Sequence, residues 1–474
     1  MIVLSVAEMR KADAFTISQG KSEEELIYSV GKAVADEINA RFSKCEVLCC
    51  LGKGNNGKDG KVCAENLSSY GFTVYCFNAE KPDYSLFDRE YGLIVDALFG
   101  TGLNREVSGD LKTAIDRIND LSCHKISVDI PSGLNGDNGL IMGACVKADE
   151  TFAVQFVKRG LLLSDGKDCC GKIKVLDVGI MLPEGNYIET IEGERAKSFF
   201  LPRKNNVNKG NFGKVSVVGG SREFSGSVLL SLNSLIALKS GAGYANLTVP
   251  KSLYSAYLGL VPECTFGFLG DKGGHVVFDE EGLKGLLKYD AICIGMGMGT
   301  SEDIYDSIVF LLKNYTGNLL IDADGLNSLA KYGVDALKNK KCTVVLTPHV
   351  KEFSRLSGKT VDEILKDPVF VAKEFASSFG VTLLLKSVTS VITDGEKTFF
   401  NVTGTNALSK GGSGDALSGF IAGMLLKNGE TVEKVAVANY VFGKAAEIAT
   451  YRENEYTVTA SDVIESLPFA INSL

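Results

Sequence analysis

The chain has 474 residues, a formal net charge of −8 at pH 7, and 45 % hydrophobic against 23 % charged residues. Single hydrophobic cores stop growing at roughly 250 to 300 residues, so this length predicts two domains. An acidic balance without long like-charge runs argues against nucleic acid or an anionic membrane as the principal partner. No apolar run reaches the length of a membrane span.

The N-terminal stretch and the cysteines indicate a compartment. The first residues, MIVLSVAEMRKADAF, contain neither a basic stretch nor a small-residue cleavage site, so no secretory signal is expected. The 12 cysteines are scattered or adjacent, without CxxC spacing, which favours reduced and mostly buried thiols. With only 3 histidines, a histidine-rich metal site is excluded. We therefore expect a cytoplasmic protein.

The first half of the chain alternates between short β-branched runs and helical patterns. A helix is predicted over residues 6–42, from apolar residues spaced three and four apart. The strand-like runs that follow are CEVLCCL, TVYCF, GLIVDALFG, KISVDI, TFAVQFV and KIKVLDVG. Such alternation is typical of a parallel α/β sheet.

A polar segment rich in Asn, Lys and Gly, PRKNNVNKGNFG at residues 202–213, marks a linker. The alternation then restarts with KVSVVGG, YANLTV, DAICIG, NLLIDAD, CTVVLTP, VTLLLK and SVITDG, and the end is largely helical. The fold class is therefore α/β with two doubly wound domains, placed at residues 1–203 and 204–474.

Three polar loops of the first domain continue from predicted strands. LGKGNNGKDGKVCAENL, at residues 51–67, opens a helix, and its glycines let backbone amides approach an anion at the helix N-terminus. Alone, such a loop is often only a turn. DALFGTGLNRE at residues 96–106 and VDIPSGLNGDNG at residues 128–139 also leave strand ends, where open α/β sheets bind their ligands. The three loops are thus predicted to converge on one crevice.

These loops resemble the signature loops of the NAD(P)H-hydrate epimerase family in GNNGKDG, VDALFGTGL and VDIPSGL. The resemblance covers nearly the whole first domain. It implies that this domain has a Rossmann-like fold and that it epimerises hydrated NADH and NADPH. It implies these substrate contacts: Asn55, Asn56, Gly57, Lys58, Asp59, Gly100, Thr101, Gly102, Leu103, Asn104, Arg105, Glu106 and Asp129.

The same resemblance assigns a potassium ion to Asn56, Asp96 and Ser132, and oxygen ligands of this kind suit a hard cation. Asp129 is the candidate acid/base at the hydroxyl-bearing carbon, with a helix or turn cap as the alternative.

Two lysines of the first domain bear on the resemblance. Lys158 corresponds to a family lysine or is a solvated charge at a strand end. The family usually has glycine where this chain has Lys58, and a positive φ there would cost about 1 kcal/mol.

The most informative segment of the chain is NVTGTNALSKGGSGDALSGFIAG, at residues 401–423. Ser413 and the preceding glycines place free backbone N–H groups at the start of an apolar helix, where they can neutralise a transferring phosphoryl group. Asp415 is then placed to accept the proton of an attacking hydroxyl. The alternative is that Asp415 only caps the helix.

This glycine-rich loop with its aspartate resembles the ribokinase-like superfamily. Further segments narrow the resemblance to the ADP-dependent NAD(P)H-hydrate dehydratase family: FGKVSVVGGSREFSGS, AICIGMGMG, LLIDADGLNSL, VLTPHVKEFSRL and LLLKSVTSVITDG. It implies that Gly297, His349 and Asp415 contact the hydrated nicotinamide, with ADP as co-substrate and Mg²⁺ as cofactor. The implied nucleotide contacts are Lys386, Ser387, Val388, Thr389, Ser390, Asn406, Lys410, Gly411, Gly412, Ser413 and Gly414.

Several residues keep two interpretations. A lone histidine after a strand is more often structural, although the TPH context of His349 favours a functional role. Asp322 and Asp324 are either a polar strand end or part of a magnesium shell, and Asn327 is equally open. The chain also departs from the family pattern with IGMGMG for IGPGLG, PHVKEF for PHPGEF, and LKSVTS for LKGxxT.

The sequence thus predicts a homo-oligomeric enzyme that interconverts the R- and S-forms of hydrated NAD(P)H and dehydrates the S-form with ADP. The rival reading is an ATP-dependent ribokinase-like kinase for another small molecule, fused to a dinucleotide-binding module without catalysis. The glycine-rich loop alone does not separate the two, whereas TPHVKEF and IDADGLN favour the dehydratase.

Overall fold

The computed structural model describes residues 1–236 and 240–474. The described residues divide into two compact units, Ile2–Ile188 with Leu365–Asp367, and Met1 with Glu189–Ile364 and Pro368–Leu474. The polar segment assigned to a linker lies in the second of these, where a 3₁₀ turn at Lys209–Phe212 precedes the first long strand.

The first unit is built on a sheet of parallel strands in the order β3-β2-β4-β5-β6-β8, with β1 paired to β7. Its strands are β1 Ile2–Leu4, β2 Glu46–Leu51, β3 Thr73–Asn78, β4 Leu93–Ala97, β5 His124–Val128, β6 Glu150–Val154, β7 Val157–Lys158 and β8 Lys172–Leu176. Its helices are α1 Val6–Ser18, α2 Glu23–Arg41, α3 Asn55–Ser69, α4 Gly109–Asp120 and α5 Gly166–Cys169. The prediction of a parallel α/β sheet is confirmed.

The single helix predicted over residues 6–42 is wrong, because the structure has α1 and α2 instead. Gly20 adopts φ 104° just after α1. The side chain of Ser22 then accepts the N–H of Glu25 as the cap of α2. A left-handed glycine followed by a capping serine ends one helix and begins another, although the apolar spacing continues across the break.

Both faces of this sheet are covered, as near-continuous apolar strands require. Along β2, Val47 and Cys49 belong to one core cluster, while Leu48 and Cys50 belong to the cluster on the opposite face. All 12 cysteines carry free thiols, and most of them are buried.

The second unit has a sheet in the order β12-β11-β10-β15-β16-β17-β18-β19-β20-β9, antiparallel only across β18-β19-β20. Its strands are β9 Ile188–Thr190, β10 Lys214–Val218, β11 Tyr244–Pro250, β12 Thr265–Leu269, β13 Asp271–Lys272, β14 His275–Val276, β15 Ala291–Ile294, β16 Asn318–Ile321, β17 Thr343–Leu346, β18 Thr382–Leu385, β19 Ser390–Thr393 and β20 Thr398–Asn401.

Its helices are α6 Gly193–Lys197, α7 Ser225–Ile236, α8 Tyr254–Tyr257, α9 Glu280–Lys284, α10 Glu302–Asn314, α11 Ala323–Tyr332, α12 Val350–Ser357, α13 Val361–Lys366, α14 Pro368–Phe379, α15 Ser413–Met424, α16 Thr431–Arg452 and α17 Ala460–Asn472. The seven predicted strand runs are confirmed, while β9, β12, β13, β14 and β20 were missed. Within residues 1–236 and 240–474, no helix has both the length and the apolar character that crossing a membrane requires.

Helices α7 and α15 approach each other unusually closely. A Cβ added at Gly419 of α15 would lie 1.8 Å from the backbone oxygen of Ser231 in α7. This separation is far below van der Waals contact, so only glycine allows the two helix backbones to pack at this distance. The contact fixes the start of α15, and therefore the glycine-rich loop, against α7.

We expect Gly419→Ala to lower the free energy of unfolding by about 1–3 kcal/mol, since the added methyl group forces the two helices apart. Urea denaturation followed by circular dichroism measures the change. Gly226→Ala in α7 is the matched control, because a Cβ there meets nothing within 4 Å. Equal effects of the two substitutions would contradict the close approach.

Candidate functional sites

The first unit contains a cavity of about 680 Å³ at the carboxyl ends of its parallel strands. The loops after β2, β4 and β5 meet there because parallel strands end at the same edge of the sheet. Of the predicted substrate contacts, the following line it: Asn55, Asn56, Asp59, Gly100, Thr101, Gly102, Leu103, Arg105 and Asp129. The predicted convergence of three loops on one crevice is present.

Four predicted contacts are not among the described residues that line this cavity. Lys58, Asn104 and Glu106 have exposed side chains, and Gly57 is buried against the backbone of Gly52. Lys58 lies within α3, and its N–H donates to the carbonyl of Gly54 at 3.2 Å. Its φ is not positive, so the strain considered for a lysine at this position does not arise.

Asp129 and Lys158 form an ion pair inside the cavity. The side chain of Lys158 is fully buried, and its Nζ also donates to the carbonyl of Val154 at 2.8 Å. Lys158 is therefore not a solvated charge at a strand end. Asp129 itself has φ 68° and accepts the Val154 N–H at 3.3 Å. Positive φ in a non-glycine residue is uncommon and often marks a functional site.

Two further carboxyl groups face this pair. Burial raises the pKa of Asp13 to about 6, with Lys158 lowering the pKa and Asp129 raising it. Burial likewise raises the pKa of Asp59 to about 8, helped by the negative charges of Asp129 and Asp13. Asp13 was missed by the sequence reasoning. Its signal was an aspartate four residues after the buried Met9, on the inner face of α1.

The three predicted potassium ligands meet around the backbone of Phe99. Ser132 donates its hydroxyl to Asp96 at 2.5 Å and accepts the Phe99 N–H at 2.8 Å. The amide of Asn56 donates to the carbonyl of Phe99 at 2.8 Å. Asn56 Oδ1 is buried and lacks a hydrogen-bond partner among the described residues. An orphaned oxygen beside a carboxylate and a hydroxyl fits a hard cation.

The second unit brings its predicted residues together at the carboxyl ends of β15, β16, β17 and β18. Gly297 follows β15, His349 follows β17, Lys386 follows β18, and Asp415 lies in the first turn of α15. The N-cap of α15 is Gly412, with φ 91° and no side-chain cap hydrogen bond. Asp415 is therefore not the helix cap, and the first N–H groups of α15 have no capping side chain.

Asp415 is half-buried, and burial raises its pKa to about 6. The negative charge of Asp322 raises the pKa further, whereas a hydrogen bond from the Ser227 hydroxyl lowers it. Ser227 was missed by the sequence reasoning because it lies almost 190 residues away, at the start of α7. A Cβ on Gly297 would come within 3.2 Å of Ser227 Cβ, so both residues border the same space.

Lys386 is held between Asp322 and the glycine-rich loop. Its Nζ lies 3.2 Å from Asp322 Oδ1, and a Cβ on Gly414 would be 3.3 Å from the same Nζ. Asp322 is buried, and it also accepts the Ser418 hydroxyl at 2.6 Å. A lysine beside uncapped N–H groups makes this end of α15 suited to a phosphate.

His349 caps α12, since its Nδ1 accepts the N–H groups of Lys351 and Glu352 at 3.1 and 3.3 Å. Burial, with the charges of Lys386 and Arg355, lowers its pKa. Half of the side chain is exposed, with Nδ1 engaged by the helix. His349 thus has a structural role as the cap of α12, and its Nε2 lies 3.6 Å from Glu352 Oε1.

Asp324 and Asn327 are engaged within the fold. Asp324 Oδ2 accepts the N–H of Gly299 at 2.8 Å, and Asn327 Oδ1 accepts from Arg355 at 3.1 Å. Within the described ranges, no three His, Cys, Asp or Glu side chains cluster as a metal centre. Magnesium usually binds through one or two carboxylates plus phosphate oxygens, and Asp322 with Asp324 fits that arrangement.

The predicted nucleotide contacts fall on two loops. Ser387, Val388 and Thr389 connect β18 to β19, and Ser390 is the first residue of β19. Val388 is exposed, whereas Thr389 and Ser390 are buried. In the second loop, Asn406 donates to Glu455 at 2.7 Å, and Gly411 and Ser413 adjoin the N-cap of α15. Lys410 donates to the carbonyls of Tyr456 and Val458, so its ammonium anchors the loop.

Comparison with known proteins finds the same two-part organisation. A family model described as NAD(P)H-hydrate dehydratase matches residues 215–468, and one described as YjeF-related protein N-terminus matches residues 23–88 and 77–160. The bifunctional NAD(P)H-hydrate repair enzyme of Dictyoglomus turgidum is 33 % identical over 94 % of this chain and 92 % of its own length. That of Thermofilum pendens is 30 % identical over 100 % and 97 %.

A solved structure is similar to the second unit. The ADP/ATP-dependent NAD(P)H-hydrate dehydratase of Bacillus subtilis, co-crystallised with ATP and Mg²⁺, is 26 % identical, with a TM-score of 0.52. The match covers 60 % of this chain and 98 % of that one. Since relatives match along nearly the full length and each half has its own family model, the chain belongs to the family of bifunctional NAD(P)H-hydrate repair enzymes.

Proposed function

We propose that the chain repairs hydrated NADH and NADPH in two steps, epimerising the R- and S-forms and dehydrating the S-form with ADP. The observation that carries the dehydration is Asp415, which lies beside the uncapped N–H groups of α15 and the Lys386 ammonium. We assign epimerisation to residues 1–203, with the Asp129–Lys158 cavity, and dehydration to residues 204–474.

In the dehydration, the Asp415 carboxylate accepts the proton of the substrate hydroxyl as its oxygen attacks the terminal phosphorus of ADP. The N–H groups of Ser413 and Gly414 and the Lys386 ammonium stabilise the negative charge on the transferring phosphoryl group. AMP leaves, and the ring nitrogen lone pair then expels phosphate from the phosphorylated carbon. Loss of a proton from the neighbouring carbon completes the dihydronicotinamide.

Two cations belong to the proposal. Asp322 and Asp324 would hold Mg²⁺ together with phosphate oxygens, and the ion supplies charge compensation during phosphoryl transfer. Asn56, Asp96 and Ser132 would hold K⁺, and their support is the buried, unpartnered Asn56 Oδ1. In the first unit, Asp129 would act as acid/base at the hydroxyl-bearing carbon, oriented by Lys158 and the Val154 N–H.

The remaining substrate and nucleotide contacts of the second unit are assigned from the positions of their loops and from the family resemblance. Gly297 and His349 would meet the hydrated nicotinamide, while the loops after β18 and before α15 would hold the adenine nucleotide. We also propose that the chain forms a homo-oligomer. Its net charge of −8 and its free thiols support a cytoplasmic location and argue against nucleic acid or a membrane as partner.

The test of the function is incubation of the purified chain with mixed R- and S-hydrates and ADP, ATP or neither. Full recovery of NADH absorbance with a nucleotide supports both activities, because only epimerisation makes the R-form available. Recovery of the S-fraction alone would contradict an active first unit. Phosphorylation of an unrelated alcohol without any recovery would favour the rival kinase.

We expect Asp415→Asn to lower the rate of dehydration by about 10²–10⁴-fold, since the amide accepts no proton. In the wild type, the pKa of about 6 predicts that activity is retained above pH 6 and falls below it, as the carboxylate becomes protonated. The pH profile of kcat/KM for the S-hydrate measures both effects. Unchanged R-to-S conversion by the variant verifies that the rest of the chain is folded.

We expect Ser227→Ala to move the acidic limb of that profile to higher pH. The Ser227 hydroxyl lowers the pKa of Asp415, so its removal leaves the carboxylate protonated over a wider range. Ser231→Ala is the matched control, because Ser231 donates to the backbone oxygen of Asp415 and not to its carboxylate. If the acidic limb moved equally in both variants, or in neither, the result would contradict a hydrogen bond from Ser227 to the catalytic carboxylate of Asp415.

A further inference from the structure

The cavity of the first unit holds more carboxyl groups than one acid/base requires. Asp13 from α1, Asp59 from α3 and Asp129 after β5 all line it, together with the Lys158 ammonium from β7. The other charged residues of the wall are exposed: Arg10, Glu23, Lys53 and Arg105. The three carboxyl groups therefore share one ammonium that is shielded from solvent. The negative charges of Asp129 and Asp13 disfavour ionisation of Asp59, because like charges at short range repel.

The structure distinguishes the members of this cluster by their partners. Asp129 is paired with Lys158 and accepts the Val154 N–H, so its charged form is compensated. The Asp59 carboxyl has no hydrogen bond or ion pair to any residue of the described ranges, and the lysine next to it in sequence, Lys58, is exposed. Pairs of carboxyl groups in environments this different act as acid and base in many enzymes.

The other charged groups around Asp59 do not provide it with a partner comparable to the Lys158 ammonium of Asp129. Glu23 of α2 accepts the Asn55 side-chain amide at 2.9 Å, and Lys53 lies 3.8 Å from Glu80. The remaining charged residues on the cavity wall are Arg10 and Arg105. Burial raises the pKa of Asp59 to about 8, Asp129 and Asp13 add to the rise, and Lys58 opposes it.

We propose that Asp59 is the general acid of the epimerisation and that Asp129 is its partner base, an inference that rests on the epimerase activity proposed above. Asp59 donates its proton to the hydroxyl oxygen of the hydrate. The carbon–oxygen bond breaks as the ring nitrogen lone pair forms a carbon–nitrogen double bond, and water leaves.

Water then adds to the other face of this carbon and gives a proton to the Asp129 carboxylate. The proton returns from Asp129 to Asp59 through solvent, so the cycle consumes neither oxidant nor nucleotide. Asp13 shares the negative charge of the cluster and keeps Asp59 in its acid form. Asp59 therefore has a chemical role beyond holding the substrate.

The test measures how fast the full chain converts the R-hydrate to the S-hydrate without nucleotide. Chromatography separates the two hydrates, and the rate is measured at a series of pH values. We expect Asp59→Asn to lower kcat by at least about 10²-fold with a small change in KM. In the wild type, the rate of epimerisation should fall above about pH 8 as Asp59 loses its proton, and this alkaline limb of the pH profile should be absent from the variant. We expect Asp13→Asn to move that limb to lower pH, because the Asp13 charge raises the pKa of Asp59. In ¹⁸O-labelled water, each inversion should incorporate one labelled oxygen.

Each outcome bears on one claim. ADP-dependent dehydration of the S-hydrate by Asp59→Asn verifies that the variant is folded. An Asp59→Asn variant with an increased KM and an unchanged kcat would reduce Asp59 to a binding residue and overturn the inference, as would retention of unlabelled oxygen. A wild-type chain that never converts R to S would instead overturn the proposed epimerase function.

Discussion

The parallel pairing of neighbouring strands is the constraint on which both sites depend. In the second unit, β16, β17 and β18 pair in parallel, so the residues that follow them meet at one edge although they are far apart in sequence. Asp322 and Lys386 approach to 3.2 Å across 64 residues of chain for this reason. Each parallel pair needs a crossover, usually a helix, which places a helix N-terminus beside the same edge. Backbone N–H groups and carboxylates are thus brought together by topology.

The two sites share an electrostatic arrangement. In each, a buried or half-buried lysine pairs with one aspartate, Lys158 with Asp129 and Lys386 with Asp322. A second aspartate lies nearby, and burial raises its pKa, to about 8 for Asp59 and about 6 for Asp415. A carboxyl group with a pKa near neutrality can exchange a proton with a substrate near neutral pH.

Much of this organisation was predictable from sequence. The strand runs, the converging loops and the place of Asp415 follow from short-range patterns of β-branched residues and glycines. The break between α1 and α2 was missed because one glycine and one capping serine outweigh a continuing apolar spacing. The burial of Lys158, the approach of Asp13 and the hydrogen bond from Ser227 to Asp415 are tertiary contacts. Asp13 lies four residues after Met9 on the inner face of α1, but no local pattern shows which of these groups meet. Only the assembled fold reveals the contacts.

Two departures from the pattern that the resemblance implies, the methionines of IGMGMG and Lys58, occur where the backbone does not need a positive φ. In IGMGMG, the glycines at 295, 297 and 299 have φ of 126°, 64° and 81°, which other residues rarely adopt. A Cβ on Gly295 would lie 2.0 Å from the carbonyl oxygen of Asp322, so this glycine also sets how closely β15 approaches the paired aspartate. Met296 and Met298 between them are buried, and flexible apolar side chains of this kind adapt to irregular gaps in a core.

Lys58 follows the same rule, since its position lies in α3 and needs no glycine conformation. At these substituted positions the two loops require a backbone path and no particular side chain. Substitution of the intervening residues leaves that path intact. A Cβ at Gly297, by contrast, would come within 2.6 Å of the Phe224 carbonyl oxygen and 3.2 Å of Ser227 Cβ. It would therefore displace the start of α7, which brings Ser227 to Asp415.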